Sequence, residues 1–287
     1  MEIRINEPMK RHTSFRAGGC AEWFAIPETA EELCAVLMLC KKAEIPWYVL
    51  GNGSNLLVSD QGFAGMIISM EKFDCLEVQD GQMRAGSGVL LSKAANEALK
   101  SGLTGLEFAA GIPGSIGGAA VMNAGAYGSE MKDVLHSVTV LTNTGEKKQI
   151  PAEELELGYR TSCILKKEWI VLETEFSLRQ GEPEAIRAQM NDLAVKRREK
   201  QPLEFPSAGS TFKRPIGHFA GKLIEDAGLK GFSVGGAAVS EKHAGFVINR
   251  DQASASDIYS LCRQVEEIVK EKFGVSLELE VKLLGNF

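Results

Sequence analysis

Two glycine-rich runs, Gly51-Asn52-Gly53-Ser54-Asn55 and Gly111-Ile112-Pro113-Gly114-Ser115-Ile116-Gly117-Gly118, lie about sixty residues apart in a chain of 287 residues. Glycine reaches positive φ without steric cost and lets a backbone approach a ligand closely. Successive N–H groups with no side chain over them form a concavity that suits an anion. Two such runs in one chain point to a long anionic cofactor gripped at two places. Neither run fits a common nucleotide signature. No lysine follows either run, as a P-loop requires, and Leu56 stands where the dinucleotide fingerprint needs its third glycine. The expected cofactor is therefore held by neither a Rossmann unit nor a P-loop.

Other segments carry chemistry-bearing residues with weaker local signals. Gly209-Ser210-Thr211-Phe212-Lys213-Arg214-Pro215 sets a hydroxyl after a glycine and before two cations. That pattern suits an anionic substrate, and it equally suits a polar turn after a proline-marked linker. Gly158-Tyr159-Arg160-Thr161-Ser162 holds a loop arginine, which alone reads as a solvated cation. Glu280 belongs to the polar face of an amphipathic strand. Lys196-Arg197-Arg198 ends a helix, where cations interact favourably with the C-terminal dipole, and that reading stands ahead of a direct ligand role. The four histidines, His12, His136, His218 and His243, show no H-x-x-x-H spacing and no paired carboxylates, so no metal site is expected. No G-x-S-x-G elbow is present, which removes support for a serine hydrolase.

The elements that must position these residues follow from periodicity and punctuation. Thr29 and Glu32 form a capping box before a helix over 29–43, with Leu33, Val36, Leu37, Cys40 and Ala43 at helical spacing and Pro46 beyond its end. The apolar run 47–50 is a short strand leading directly into the first glycine run, and 56–58 and 66–68 read as further strands. The pattern is strand-like over 74–91, helical over 94–100, and strand-like again at 134–142 and 169–178. A helix follows over 184–200. Pro202 and Pro206 mark a linker. Beyond it, a helix over 219–227 stops at Gly228, a hairpin spans 237–240 and 245–249, and a helix over 256–272 stops at Gly274. The chain ends in an alternating strand, with Val275, Leu277, Leu279, Val281 and Leu283 facing one way and Ser276, Glu278, Glu280 and Lys282 the other.

Composition limits the remaining possibilities. A formal net charge of −6 argues against a nucleic-acid or membrane-surface role. The hydrophobic share of 44% suffices for a real core. The six cysteines lack C-x-x-C spacing, and reduced thiols in a cytoplasmic protein are expected. Residues 1–12 contain no apolar stretch of the kind a signal peptide carries, and no segment approaches the ~18 apolar residues of a membrane span.

Taken in order, His12-Thr13-Ser14-Phe15-Arg16-Ala17-Gly18-Gly19, Leu50 to Leu57, Gly111 to Gly118, Asn123-Ala124-Gly125-Ala126-Tyr127-Gly128, Gly158-Tyr159-Arg160, Gly209 to Pro215, Lys242-His243-Ala244-Gly245-Phe246 and Leu279-Glu280-Val281 form a series over essentially the whole chain. This series resembles the UDP-N-acetylenolpyruvoylglucosamine reductase family, flavoenzymes of the second committed step of bacterial peptidoglycan precursor synthesis. The missing tyrosine-bearing insertion between Arg160 and Ser210 resembles the shorter of the family's two types.

The resemblance implies an α+β architecture of the FAD-binding vanillyl-alcohol-oxidase (PCMH) type. It places a first flavin subdomain at 1–72, completed by 275–287, and a second α/β subdomain at 73–200. An α+β substrate-binding domain is expected at 204–272. It assigns FAD, bound without a covalent link, to Gly51, Asn52, Gly53, Ser54, Asn55, Gly111, Pro113, Gly114, Ser115, Ile116, Gly117, Gly118 and Ala119. NADPH and a UDP-sugar are the implied co-substrates. Ser210 matches the family's proton donor, and Arg160 and Glu280 match the groups that hold the substrate carboxylate and its enolate. Tyr127, Lys213 and Arg214 are expected at the substrate. Arg214 replaces the asparagine that many relatives carry before the proline, a departure that bears on the sugar-diphosphate contacts and not on the reaction. Two other readings stand beside this one. A flavin oxidase of the same fold with covalent FAD needs a histidine or cysteine in or beside a glycine run, and neither 51–56 nor 111–118 contains one. A nucleotide-sugar-binding module that has lost its chemistry does not need the three catalytic positions, all of which are filled here.

Overall fold

The computed structural model describes residues 1–79 and 81–287. The chain divides into one unit made of Met1–Ile3, Ala25–Asn52 and Ile67–Arg197, and another made of Arg4–Phe24, Gly53–Met66 and Arg198–Phe287.

In the first unit the strand-like stretch after residue 74 is a hairpin of Leu76–Gln79 and Gln82–Gly86. It joins Ile170–Phe176, Leu135–Leu141 and Lys147–Pro151 in a five-stranded sheet, antiparallel at every junction. Lys147–Pro151 is absent from the sequence expectation. As an edge strand its residues are exposed or half-buried throughout, so it carries no apolar alternation to read. The inner strands contribute Val138, Val140, Val171 and Phe176 to the core. The helix Leu91–Lys100 packs there through Leu91, Ala94, Ala95 and Ala98, which are no more than 2% exposed. The small residues allow the helix to approach closely.

The helix Ala30–Lys42 starts as expected, with Thr29 Oγ1 accepting the Glu32 N–H at 3.2 Å. The other half of the expected capping box is shifted by one residue, because the Glu32 carboxylate accepts the N–H of Glu28. Glutamates in the first turn and lysines in the last suit the helix dipole.

In the second unit, Ala237–Val239 pairs with Val247–Asn249 as expected, and Ser233–Val234 extends the sheet. The helices Ala220–Asp226 and Ala255–Phe273 pack on this sheet around Ile224, Val239, Leu261 and Val265. The longer helix is bounded by a reciprocal Ser254/Asp257 capping box and by Gly274, whose φ of 68° lets its N–H reach Lys270 O.

The C-terminal strand departs from expectation. Leu277 and Val281 are buried as the alternation requires, but Leu283 is 39% exposed and Leu284 is buried. The phase breaks because the segment changes partners. Leu279 lies opposite Phe212, whereas Lys282–Leu284 runs parallel to Leu56–Val58. Because side chains alternate with period two, a one-residue change of phase sends every later one to the opposite face.

Candidate active site

In the second unit, Ser210 and Glu280 come together through the backbone. Gly209 takes φ = 74°, a value open to glycine, and the chain then enters a short antiparallel pairing. Glu280 N–H donates to Thr211 O and Lys213 N–H donates to Glu278 O, both at 2.8 Å, with Phe212 opposite Leu279. Thr211 is 1% exposed and is fixed from its other side. Its N–H donates to Gly245 O, and its Oγ1 accepts the Val247 N–H, both at 2.9 Å. Asn55, at the end of the first glycine run, donates from Nδ2 to Glu280 O at 3.2 Å and accepts the Lys282 N–H at 3.1 Å. Gly53 in that run has φ = 61°, and a Cβ there would lie 1.8 Å from His12 O, so no larger residue fits.

The turn that supports Thr211 rests on His243. Its Nδ1 accepts the Gly245 N–H at 3.1 Å, and burial holds the imidazole pKa below its ordinary value of 6.5. The folded state therefore favours the neutral ring. Its stabilising contribution is complete above the unfolded pKa and declines as the pH falls below about 6.5. The midpoint of urea unfolding is expected to drop between pH 7 and pH 5. His243→Gln is expected to flatten part of that decline, as a pH series of denaturation curves will show.

The expected substrate residues lie in different settings. Lys213 Nζ pairs with Glu278 at 3.0 Å in an exposed ion pair. The Arg214 guanidinium covers the Phe219 ring, 4.3 Å from its centre. Tyr127, in the first unit, takes φ = 56° and is 43% exposed. Arg160 also belongs to the first unit. It takes φ = 55° and its guanidinium lies 5.1 Å from the centre of the Tyr159 ring.

The first unit brings the two glycine runs side by side. Asn52 Nδ2 donates to Pro113 O at 3.0 Å, and a Cβ on Gly51 would lie 2.5 Å from Ser115 Oγ. The second run is anchored as well as bare: the N–H groups of Gly114, Ile116 and Gly117 donate to the carbonyls of Ile112, Val89 and Ser87. The hydroxyls of Ser87 and Ser115 are buried without a partner, and a Cβ on Gly117 would lie 2.7 Å from Ser87 Cβ. Buried hydroxyls normally find a partner, so two orphans beside a glycine cradle fit a polar group supplied from outside the chain. These residues suit a diphosphate-bearing cofactor such as FAD.

Three residues escaped the reading of the sequence. Ser87 is hidden because a serine in a strand-end glycine loop looks like any turn residue. Asn123 sits within a motif but had no role assigned. Arg197 was read as a dipole partner, yet it is half-buried against the second run, and a Cβ on Gly111 would lie 3.4 Å from its guanidinium Nη1. Burial lowers its pKa, and no carboxylate pairs with it among the described residues. Its neighbour Lys196 is paired with Asp192 at 2.6 Å. The available signal was helical phase, which turns position 197 away from its charged neighbours.

A cavity of about 620 Å³ in the second unit is walled by Arg16, Asp60, Glu204, Asn249 and Arg250, among others. Two of the polar side chains at its wall are committed to the fold. The Asp60 carboxylate accepts the N–H groups of Ala255 and Ser256, and the Asn249 side chain bridges Phe15 O and the Ala253 N–H.

Comparison with known proteins agrees with this geometry. Residues 201–284 match the model of the UDP-N-acetylenolpyruvoylglucosamine reductase C-terminal domain, and residues 21–150 match that of an FAD binding domain. The chain is 54% identical to UDP-N-acetylenolpyruvoylglucosamine reductase of Exiguobacterium sibiricum, over 99% of this chain and 93% of the relative. It is 52% identical to the enzyme of that name from Clostridium novyi, over 99% and 92% respectively. The crystal structure of UDP-N-acetylenolpyruvylglucosamine reductase (MurB) from Thermus caldophilus superposes with a TM-score of 0.84 at 36% identity, covering 99% of this chain and 98% of that one. A BBE-like protein of Physcomitrella patens shares the fold alone, with a TM-score of 0.51 at 15% identity over 62% of this chain and 42% of its own. With relatives above half identity along nearly its whole length, the chain belongs to the UDP-N-acetylenolpyruvoylglucosamine reductase family.

Proposed function

We propose that this FAD-dependent reductase converts the enolpyruvyl ether of UDP-N-acetylglucosamine to the lactyl ether of UDP-N-acetylmuramate, with NADPH as reductant and Arg160, Ser210 and Glu280 at the reacting group. Held at the runs Gly51–Asn55 and Gly111–Gly118, FAD would supply the hydride carrier between NADPH and C3 of the enolpyruvyl group. Negative charge then develops toward the substrate carboxylate. The Arg160 guanidinium supplies two parallel N–H donors to that carboxylate and stabilises the enolate. Ser210 Oγ delivers a proton to C2. A serine hydroxyl is a weak acid in water, so it transfers the proton only as the carbanion-like centre forms beside it. Glu280 polarises the carboxylate. Tyr127, Lys213 and Arg214 are assigned to the substrate, with the diphosphate taken by Lys213 or Arg214.

We assign the flavin to parts 1–72, with 275–287, and 73–200, and the substrate to 204–272. The start of the matched C-terminal domain model at residue 201 supports that boundary. The observation that carries the reading is the backbone pairing of Thr211–Lys213 with Glu278–Glu280, which joins two sequence-distant candidate residues at one place. Among the described residues no helix is long and apolar enough to cross a membrane, and a cytoplasmic setting suits both co-substrates.

Gly51, Asn52, Ser115 and Gly117, with Ser87, form the cradle for the flavin diphosphate, and Arg197 provides its counter-charge. Arg197→Gln is expected to raise the dissociation constant of FAD by about 10- to 100-fold, in line with the loss of one charge-assisted contact. Fluorescence titration of the flavin-free protein measures this directly, and an unchanged constant removes Arg197 from the cradle.

The function is tested by the colour of the purified protein. Without oxygen, NADPH should bleach the visible flavin band, and the enolpyruvyl sugar should restore it. A band that returns only with oxygen would indicate an oxidase. A protein that binds the sugar but never bleaches would indicate a binding module.

A further inference from the structure

Arg160 lies in a four-residue turn. Gly158 N–H donates to Thr161 O at 3.1 Å, and Thr161 N–H donates to Gly158 O at 3.3 Å. Arg160 takes φ = 55°, the left-handed region that is disfavoured for a residue with a side chain. Such a conformation persists where the surroundings over-determine it. One support from outside the turn is Asn123.

The Asn123 side chain is completely buried. Its Nδ2 donates to Gly158 O at 3.1 Å and also to the Glu130 carboxylate, and its Oδ1 accepts the Lys132 N–H at 2.9 Å. Both amide N–H groups and the amide oxygen are therefore in use. Glu130 is held in turn by Lys132 Nζ at 2.5 Å. Asn123 itself takes φ = 44° and ψ = 55°, capping the C-terminus of the helix Ile116–Met122. That helix begins within the second glycine run. The exit of the Arg160 turn is tied to the same helix end, because Ser162 Oγ donates to Val121 O at 2.7 Å. One buried amide thus joins the helix that leaves the flavin cradle, the Glu130 loop and the carbonyl of the turn that carries Arg160.

We propose that Asn123, backed by Glu130, is a positioning residue for Arg160 and sets the guanidinium for its grip on the substrate carboxylate. The inference rests on the reading of Arg160 given above. It predicts a division of labour that a plain helix cap does not. A cap supports the fold, so its loss affects both half-reactions. A positioning residue affects only the half-reaction that uses Arg160. Displacement of a clamp by about 1 Å costs on the order of 100-fold in rate.

The test uses Asn123→Gly, which keeps the left-handed cap conformation while removing the amide. Asn123→Asp serves as a second variant that keeps the shape but removes both donors. FAD affinity and flavin reduction by NADPH are expected to stay within about twofold of wild type. Flavin reoxidation by the enolpyruvyl sugar should slow about 10- to 100-fold. Hydrogen exchange of the Thr161 amide should accelerate, which reports on the turn independently of turnover. In an Arg160→Ala background, Asn123→Gly should add less than about twofold, since a residue acting through another shows strong coupling. Equal slowing of both half-reactions, or full additivity in the double variant, overturns the positioning role while leaving Arg160 in place. Wild-type reoxidation in Arg160→Ala alone overturns the reading of Arg160, and the positioning role falls with it.

Discussion

Ser210→Ala is expected to leave flavin reduction by NADPH near the wild-type rate and to slow reoxidation by the enolpyruvyl sugar by about 10²- to 10⁴-fold, the usual contribution of a positioned acid. The separation follows from where Ser210 sits. Its backbone is fixed by the residues after it, which pair with Glu278 and Glu280 and are bonded to Gly245 and Val247. Its own side chain is exposed, and the neighbouring Thr211 and Phe212 are no more than 3% exposed. Removing one exposed hydroxyl leaves those buried contacts intact, so the variant should fold and bind flavin normally. Rapid-mixing absorbance measurements on each half-reaction distinguish the outcomes. If both rates stay unchanged, Ser210 is not the proton donor. If both fall together, the substitution has disturbed the flavin site.

Arg160→Lys is the second large effect, with kcat/KM expected to fall by about 10²- to 10³-fold, comparable to the loss of an oxyanion-stabilising donor. The charge is retained, so a role for charge alone predicts little change. A guanidinium offers two parallel donors in a fixed plane, whereas an ammonium is a single point that cannot form the fork. The turn that carries Arg160 is held by its own backbone bonds and by Asn123, neither of which involves the guanidinium. The loss should therefore appear in reoxidation and in substrate affinity, with stability near wild type. Wild-type turnover in this variant rejects the carboxylate clamp.

These predictions use residues that local sequence alone would not have selected. Arg160 reads as a solvated loop cation, Glu280 as part of a polar strand face and Ser210 as a turn residue. Their order along the chain, together with the glycine runs, made them legible as a family pattern. The helix Ala255–Phe273 was legible as a helix over 256–272 stopped by Gly274, because such a stop is local chemistry, whereas its Ser254/Asp257 capping box emerged only with the structure. The final strand was readable only as far as Val281, because its change of partner from Phe212 to Leu56–Val58 is a tertiary event. Lys147–Pro151 was silent, since an exposed edge strand leaves no periodic trace.

The sequence by itself determined that the cofactor is long and anionic and that neither a Rossmann unit nor a P-loop holds it. Glycine spacing and the absence of a lysine are local properties of the chain. Tertiary structure alone decided what those glycines face. It set Gly51 against Ser115, left the Ser87 and Ser115 hydroxyls buried without partners and turned Arg197 toward Gly111. It also placed one buried amide, Asn123, behind the turn of Arg160. Each of these is a contact between segments distant in sequence, and such contacts exist only once the core has packed and fixed the helices and loops that bring them together.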